Sequence, residues 1–238
     1  MTKNHTIINQ NKTVQYDDFA DTFGKSRRDL HWAEIDGVIS DFLVQIQSSN
    51  GSIADIGCGN GRLLKHMLAH EKSDFIQQHF STYVWLDTSR VLLDQARVDH
   101  TLFDFFALTE WIEGDMRDME QKIQKYGLFD GIFFIASFHH LMTRAERVSV
   151  LSQAKNLLSE NGKIVMINWH LLAPSQEKYQ SSKIQSYPDR SADFDIKIGA
   201  HTRFYHAFSH DEYLSLADEA WLNVSDSFWE RNSIVFWS

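Results

Sequence analysis

Ser52-Ile53-Ala54-Asp55-Ile56-Gly57-Cys58-Gly59-Asn60-Gly61 is a short apolar run that breaks into three alternating glycines. The first five residues predict a buried strand. Glycine populates left-handed backbone freely, so the chain can turn tightly at Gly57, Gly59 and Gly61 and approach a ligand with no Cβ in the way. A helix is predicted from about Arg62 to His70. The join between a strand's C-terminal end and a helix is where open α/β sheets bind ligands. The glycines alternate with single residues and follow an acid by two positions, unlike the Gly-x4-Gly-Lys-Ser/Thr spacing of a phosphate loop. An acid as close as Asp55 points to a cation-bearing nucleoside rather than a pyrophosphate.

Strands and helices alternate onward from this turn. Tyr83–Leu86 reads as a second strand ending at Asp87, followed by a helix over Ser89–Val98. Glu110–Glu113 reads as a third strand, stopping at Gly114-Asp115, and Phe129–Ala136 as a fourth. Arg144–Leu158 predicts an amphipathic helix with Val148, Leu151, Ala154, Leu157 and Leu158 on one face, stopped by the Asn161-Gly162 pair. Lys163–Trp169 is a fifth strand. After a helix over Asp211–Ala220, two strands (Val224–Glu230 and Ser233–Trp237) predict a terminal hairpin. Alternation of this kind predicts a mostly parallel sheet with helices on both faces, and the near-continuous apolar strands fit burial on both sides. Phe19, Phe23, Leu30, Ile35, Val38 and Phe42 give the region before the first strand a helical period. Residues 171–200 lack clear periodicity, and 171–208 are read as a substrate-side insertion or lid. The domain reading is a flexible stretch over 1–15 and a single domain over 16–238.

Composition narrows the class further. At 43% hydrophobic and 23% charged residues, the chain sits near the globular average and is long enough for a full core. Its 23 basic and 32 acidic residues leave a net charge of −9. Such a surface repels nucleic acid on average, so a nucleic-acid substrate needs a local basic patch or a partner. No apolar run reaches the roughly 18–20 residues of a membrane span, and residues 1–18 have no apolar signal core. These features predict no membrane contact and a cytoplasmic setting. The single cysteine, Cys58, excludes an internal disulfide and a cysteine-based zinc site. It reads as a small packing residue rather than a nucleophile. His66 and His70 stand one helical turn apart without a third ligand, which reads as a solvated helix face, so no metal is expected.

Three acids end three successive strands. Asp87 at the end of the second can accept both hydroxyls of a ribose, and Asp115 at the end of the third can accept from an exocyclic amine. Each taken alone reads as a helix N-cap or loop carboxylate; the three together with the glycine turn read as one nucleoside site. In these features the sequence resembles the class I S-adenosylmethionine-dependent methyltransferases. The glycine turn, Asp87, Gly114-Asp115 and Asp130 in Phe129-Asp130-Gly131-Ile132 match that family's successive motifs over roughly residues 50–170. The resemblance implies a Rossmann-like α/β fold with a seven-stranded, mostly parallel sheet ending in an antiparallel hairpin. It implies S-adenosyl-L-methionine as cofactor, bordered by Asp55, Gly57, Cys58, Gly59, Gly61, Asp87, Thr88, Asp115, Met116 and Ala136.

Further segments are similar to one branch. They are Tyr16-Asp17-Asp18-Phe19-Ala20 with Ser26-Arg27-Arg28, Ser137-Phe138-His139-His140-Leu141 followed by Arg144 and Arg147, and Asn168-Trp169. Arg203-Phe204-Tyr205-His206-Ala207-Phe208 and Trp229-Glu230-Arg231-Asn232 complete the set. Together they resemble the tRNA wobble-uridine carboxymethyl methyltransferases, which esterify 5-carboxymethyluridine in the anticodon. That resemblance implies a substrate pocket around Arg27, His139, His140, Trp169 and Arg203. A carboxylate acceptor is already ionised at neutral pH, so the pocket needs to hold and align an anion rather than deprotonate it. The resemblance also implies tRNA as substrate and a small activator subunit as a possible partner. The aromatic run before the third strand, Phe103 to Phe106, reads as a surface for such a partner, as a self-association edge, or as core packing. Lys178, Lys183, Arg190 and Lys197 are the basic residues between 171 and 200, a thin footprint for tRNA. A small carboxylic acid is therefore the alternative acceptor.

Overall fold

The structure, a computed structural model, describes residues 36–39, 42, 50–69, 78–100, 106–199, 201–228 and 232–238. Arg27, Arg28, His70 and the Phe103–Phe105 part of the aromatic run lie outside them. The first half contains β1 (Gly51–Ile56), α1 (Arg62–Ala69), β2 (Phe80–Asp87), α2 (Arg90–His100), β3 (Leu108–Glu113), α3 (Met119–Ile123) and β4 (Phe129–Ile135). The second contains α4 (Arg144–Asn156), β5 (Leu158–Trp169), β6 (Lys183–Ser186), β7 (Ala192–Ile198), β8 (His201–Ala207), α5 (His210–Ala220), β9 (Val224–Phe228) and β10 (Asn232–Trp237).

β1 to β5 run parallel to one another, and β10 runs antiparallel to both β5 and β9. The seven strands lie in the order β3-β2-β1-β4-β5-β10-β9. Alternation along each strand explains why so many consecutive apolar residues are needed. Ala54, Ile56, Val84, Leu86, Ile132 and Phe134 point into one core with Val150, Leu151 and Leu216 of α4 and α5. Ile53, Tyr83, Trp85, Phe133, Val165 and Ile167 point into the other, with Val38, Phe42, Leu63 and Met67. Both faces are therefore dry, as a parallel sheet requires. Gly131 is dictated by this packing, since a Cβ there would sit 2.4 Å from the Phe42 ring. Phe106 is buried, its ring 5.2 Å from that of Tyr83, so this member of the aromatic run belongs to the core. Among the described residues no helix is long and apolar enough to cross a membrane.

Two expectations are corrected. The helix expected to run to Leu158 ends at Asn156, where the N–H of Leu157 turns back onto the carbonyls of Gln153 and Ala154. Asn161-Gly162 does not cap it but lies inside β5. There the register with β4 jumps from Phe129↔Leu158 to Gly131↔Lys163, an irregularity that a residue without Cβ permits. A Cβ on Gly162 would approach the Phe129 carbonyl to 2.6 Å.

The second correction concerns the lack of periodicity read over 171–200: a short 3-10 helix (Pro174–Ser182) is followed by strands of a second sheet. β6, β7 and β8 pair antiparallel in that order. Ala192, Phe194, Ile196, Tyr205 and Ala207 form its apolar face against Leu171, with Trp169 and Tyr179 packed alongside.

Candidate functional site

The glycine turn is stitched to the end of β2. The N–H groups of Gly57 and Cys58 donate to the Leu86 carbonyl at 2.7 and 3.2 Å, and that of Gly59 donates to Asp87 Oδ2 at 2.8 Å. Asp87 Oδ1 accepts from the Ser89 N–H at 2.8 Å. Gly57, Gly59 and Gly61 have φ of 70°, 55° and 81°, where other residues are strained. A Cβ on Gly59 would meet nothing within 4 Å.

That open space belongs to a cavity of about 1360 Å³, larger than the roughly 300–1000 Å³ of a typical single-ligand pocket. Asp55, Gly57, Cys58, Gly59, Asp87 and Thr88 line it, as do Asp115, Met116 and Ala136. Gly61 is not among the lining residues. It turns the chain into α1, its N–H donating to the Cys58 carbonyl at 3.0 Å. Asp55 is buried at the cavity wall, and its Oδ2 accepts from Tyr83 Oη at 3.2 Å while Oδ1 has no hydrogen-bond partner. Burial pushes its carboxyl up to about 7, with Asp87 adding to the shift and Tyr83 opposing it. Burial, then Asp55 and Asp87, push the Cys58 thiol well above its usual range, which removes it as a nucleophile. Ala136, at the end of β4, has a φ of 56°.

Asp115 lines the cavity and is also engaged by a neighbour. Its Oδ1 accepts from both the N–H and Nε of Arg117 at 2.9 Å, and its Oδ2 from Nη2 at 2.5 Å, capping the turn that follows β3. Arg117 also reaches Glu146 Oε1 at 3.1 Å. Burial pushes the Asp115 carboxyl up, but Arg117 outweighs it and holds the group below the usual carboxylate range. Asp130, by contrast, ties β1 to β5 through Ser52 N and Ser159 Oγ.

The other end of the cavity gathers His139, His140, Trp169 and Arg203. Tyr205, which sequence reasoning left outside the site, is their centre. Its ring stacks on Trp169 (5.0 Å, 16°) and lies 5.0 and 4.6 Å from the rings of His139 and His140. The Arg203 guanidinium sits over it at 5.5 Å. The alternation of β8 puts Arg203 and Tyr205 on one face, and that was the signal to follow. Burial lowers the Arg203 cation to about 10 against the pull of Tyr205, so it stays charged at neutral pH.

Trp169 N–H donates to His139 Nδ1 at 3.3 Å, so the neutral His139 ring carries its proton on Nε2. Burial, His140 and His206 all hold His139 well below its ordinary value. His140 Nδ1 donates to the Phe204 carbonyl at 2.8 Å. Between the two ends, Ser137 Oγ donates to the Ile56 carbonyl at 2.6 Å and locks β4 to the glycine turn. Among the described residues no group of histidine, cysteine and acidic side chains could hold a metal.

Residues 54–164 match the family model of a methyltransferase domain. A curated protein of Encephalitozoon cuniculi (strain GB-M1), named provisionally as a methyltransferase, is 25% identical over 205 residues, covering 86% of this chain and 83% of its own. An S-adenosylmethionine-dependent methyltransferase from Clostridium acetobutylicum has a TM-score of 0.64 at 13% identity, over 94% of this chain and 98% of that one. A chain from the complex between a Haloferax volcanii methyltransferase activator and a methyltransferase has a TM-score of 0.60 at 15% identity, over 94% and 95%. With this domain match, the chain is a methyltransferase enzyme with S-adenosylmethionine as cofactor, and its fold is similar to that of S-adenosylmethionine-dependent methyltransferases. The residues present fit that cofactor. The unpartnered Asp55 Oδ1 answers an ammonium, the Asp87 carboxylate lines the cavity beside the glycine turn, and Gly59 leaves its Cβ space open.

Proposed function

We propose that this enzyme esterifies a carboxylate, and that the carboxylate is that of 5-carboxymethyluridine at the tRNA wobble position. The observation that carries this reading is Arg203, buried and charged beside the stacked Trp169–Tyr205 pair. A planar guanidinium suits a carboxylate, and an aromatic stack suits the base that carries it. When bound, S-adenosylmethionine supplies the methyl on its sulfonium sulfur. Asp55, Gly57, Cys58, Gly59, Asp87, Thr88, Asp115, Met116 and Ala136 hold it, and Gly61 shapes their turn.

An ionised carboxylate needs no general base, which agrees with a His139 held neutral. Its Nε2–H serves as a donor to the anion, and His140 ties the turn to β8. Arg27 is proposed as a second carboxylate ligand. Alignment of nucleophile and methyl is the main catalytic work, worth up to roughly 7–11 kcal/mol. An activator subunit along the edge strand β3 and a cytoplasmic setting complete the reading. The buried free thiol of Cys58 is in keeping with a reducing compartment.

A second reading, a small carboxylic acid as acceptor, is favoured by the net charge of −9 and by Asp189, Asp193 and Asp195 on the same cavity. Labelled methyl transfer tests both. The enzyme is offered tRNA containing carboxymethyluridine, tRNA lacking it, and a panel of small carboxylic acids, each with and without cell extract as a source of activator. Label in the first tRNA alone supports the tRNA reading. Label in the small acids alone replaces it.

A further inference from the structure

Four ionisable side chains meet in the interior without any part in the reaction so far described. Asp193 comes from β7, His206 from β8, Glu212 from α5 and Arg147 from α4, and all four are buried. His206 Nδ1 lies 2.6 Å from Asp193 Oδ1, and its Nε2 lies 2.6 Å from Glu212 Oε2. A carboxylate at each ring nitrogen calls for a proton on each, so the ring is an imidazolium. Arg147 Nε stands 3.3 Å from Glu212 Oε1, and its Nη1 donates to the Leu141 carbonyl at 3.0 Å. Leu141 closes the Phe138–His140 turn that carries both site histidines. At the opposite end, Tyr187 Oη donates to Asp193 Oδ2 at 2.5 Å. Tyr187, Asp193, Arg147 and Glu212 all line the cavity.

Two cations and two carboxylates balance, so the chain of contacts is neutral overall. Networks of this kind are poor sources of stability, because desolvation offsets most of the attraction; an apolar cluster holds elements together as well. An ionic chain instead selects one arrangement, because each member needs its partner in place. Here it runs from the small sheet through α5 and α4 to the histidine turn.

We propose that Tyr187, Asp193, His206, Glu212 and Arg147 form a positioning chain that sets the small sheet against the His139–His140 turn and so fixes the seat of the methyl acceptor. The proposal rests on the reading of this end of the cavity as the acceptor's. Its electrostatics agree with the geometry. Burial alone would lower His206, yet Asp193 and Glu212 outweigh burial and hold it above its ordinary value. Asp193 and Tyr187 from the β6–β7 hairpin face this cluster, as do Glu212 from α5, Arg147 from α4 and His139 from the turn. The charged ring is in place below that raised value and is lost as pH rises through it, which frees the sheet from the turn.

The test uses the full chain with S-adenosylhomocysteine bound, in wild type, His206→Gln and Tyr187→Phe. Nitrogen NMR of the His206 ring at neutral pH is expected to show both nitrogens protonated. Amide exchange over residues 187–198 is expected to be slow in wild type and faster in both variants, with S-adenosylhomocysteine affinity unchanged. With a methylated acceptor in hand, KM for that acceptor rises about tenfold in His206→Gln while kcat changes little. An alkaline rise of KM is expected in wild type and should be absent in the variant. A neutral His206 ring at neutral pH, or wild-type exchange in both variants, overturns the proposal. Should wild type methylate no carboxymethyluridine, the acceptor reading falls alone, and ring protonation and exchange still decide the positioning chain. Should His206→Gln fail to fold, Tyr187→Phe at the hairpin tip decides it.

Discussion

One methyl group added at Gly57 or at Gly59 separates the two jobs of the glycine turn. At Gly57 the backbone is left-handed (φ 70°), and an ideal Cβ would lie 2.4 Å from Ser137 Cβ and 3.0 Å from its Oγ. Ser137 cannot swing aside without giving up its 2.6 Å bond to the Ile56 carbonyl. The left-handed conformation costs alanine about 1–2 kcal/mol, and overpacking adds about 1–3 kcal/mol. Gly57→Ala therefore destabilises the apo protein by about 2–5 kcal/mol, or roughly 4–20 °C in Tm at about 2–4 °C per kcal/mol for a chain of this size.

At Gly59 (φ 55°) nothing lies within 4 Å of the new Cβ, so the stability cost is the backbone cost alone, about 1–2 kcal/mol. The methyl there points into open space lined by Asp87 and Thr88. It crowds the cofactor by about 1–3 kcal/mol of overpacking, roughly 5- to 150-fold in affinity. Differential scanning fluorimetry and calorimetric titration with S-adenosylhomocysteine measure the two effects on the same samples. A Gly59→Ala protein that binds the cofactor product like wild type would refute the placement of the cofactor, and a Gly57→Ala protein that melts like wild type would refute the packing argument.

Three further perturbations test other parts of the account. Asp55, at about 7 in the folded chain against its ordinary 3.8, favours folding fully below pH 3.8, and that contribution is lost as pH rises through about 7. Asp55→Asn should flatten this slope in urea unfolding series and stabilise the apo protein above pH 7 by up to roughly 4 kcal/mol, while weakening cofactor binding. Wild-type cofactor affinity should rise with pH through the same range, because the ligand's ammonium needs the ionised carboxylate. Arg203→Gln should raise the acceptor KM about 10- to 100-fold, as expected for loss of hydrogen bonds to a charged group, with S-adenosylhomocysteine affinity preserved; equal losses in both would contradict its assignment to the acceptor. Thr143→Ala removes the capping box that joins the Thr143 and Glu146 side chains at the start of α4, and thermal melts should register about 0.5–2 kcal/mol with no change in cofactor titrations.

The cofactor end of the site was legible because its chemistry is local. Three glycines at positive φ and two acids at strand ends lie within short stretches of sequence, and the strand alternation that supports them has a period of two. The acceptor end was harder to read because its residues come together only through tertiary packing. Tyr205 becomes the hub of that end when β8 stacks against Trp169, which no spacing encodes. The sheet over 183–207 was there to be read, since Ala192-Asp193-Phe194-Asp195-Ile196-Lys197-Ile198 alternates apolar and polar residues. The Asn161-Gly162 pair misled for a physical reason, because the same backbone freedom that ends a helix also accommodates a bulge in a strand. Asp115 shows the limit of motif reasoning. Its position fits the motif, but its carboxylate is held by Arg117, two residues away, a contact that only the folded turn creates.

The central claim is methyl transfer to a carboxylate carried on a wobble uridine. Its most direct test is to incubate the protein, alone and with cell extract, with methyl-labelled S-adenosylmethionine and tRNA rich in carboxymethyluridine, then digest the tRNA and weigh its nucleosides. The account predicts a wobble uridine heavier by one labelled methyl that reverts to the acid in alkali, and loss of that product in Arg203→Gln. Unmodified carboxymethyluridine in every sample, with cofactor binding demonstrated in parallel, would contradict it.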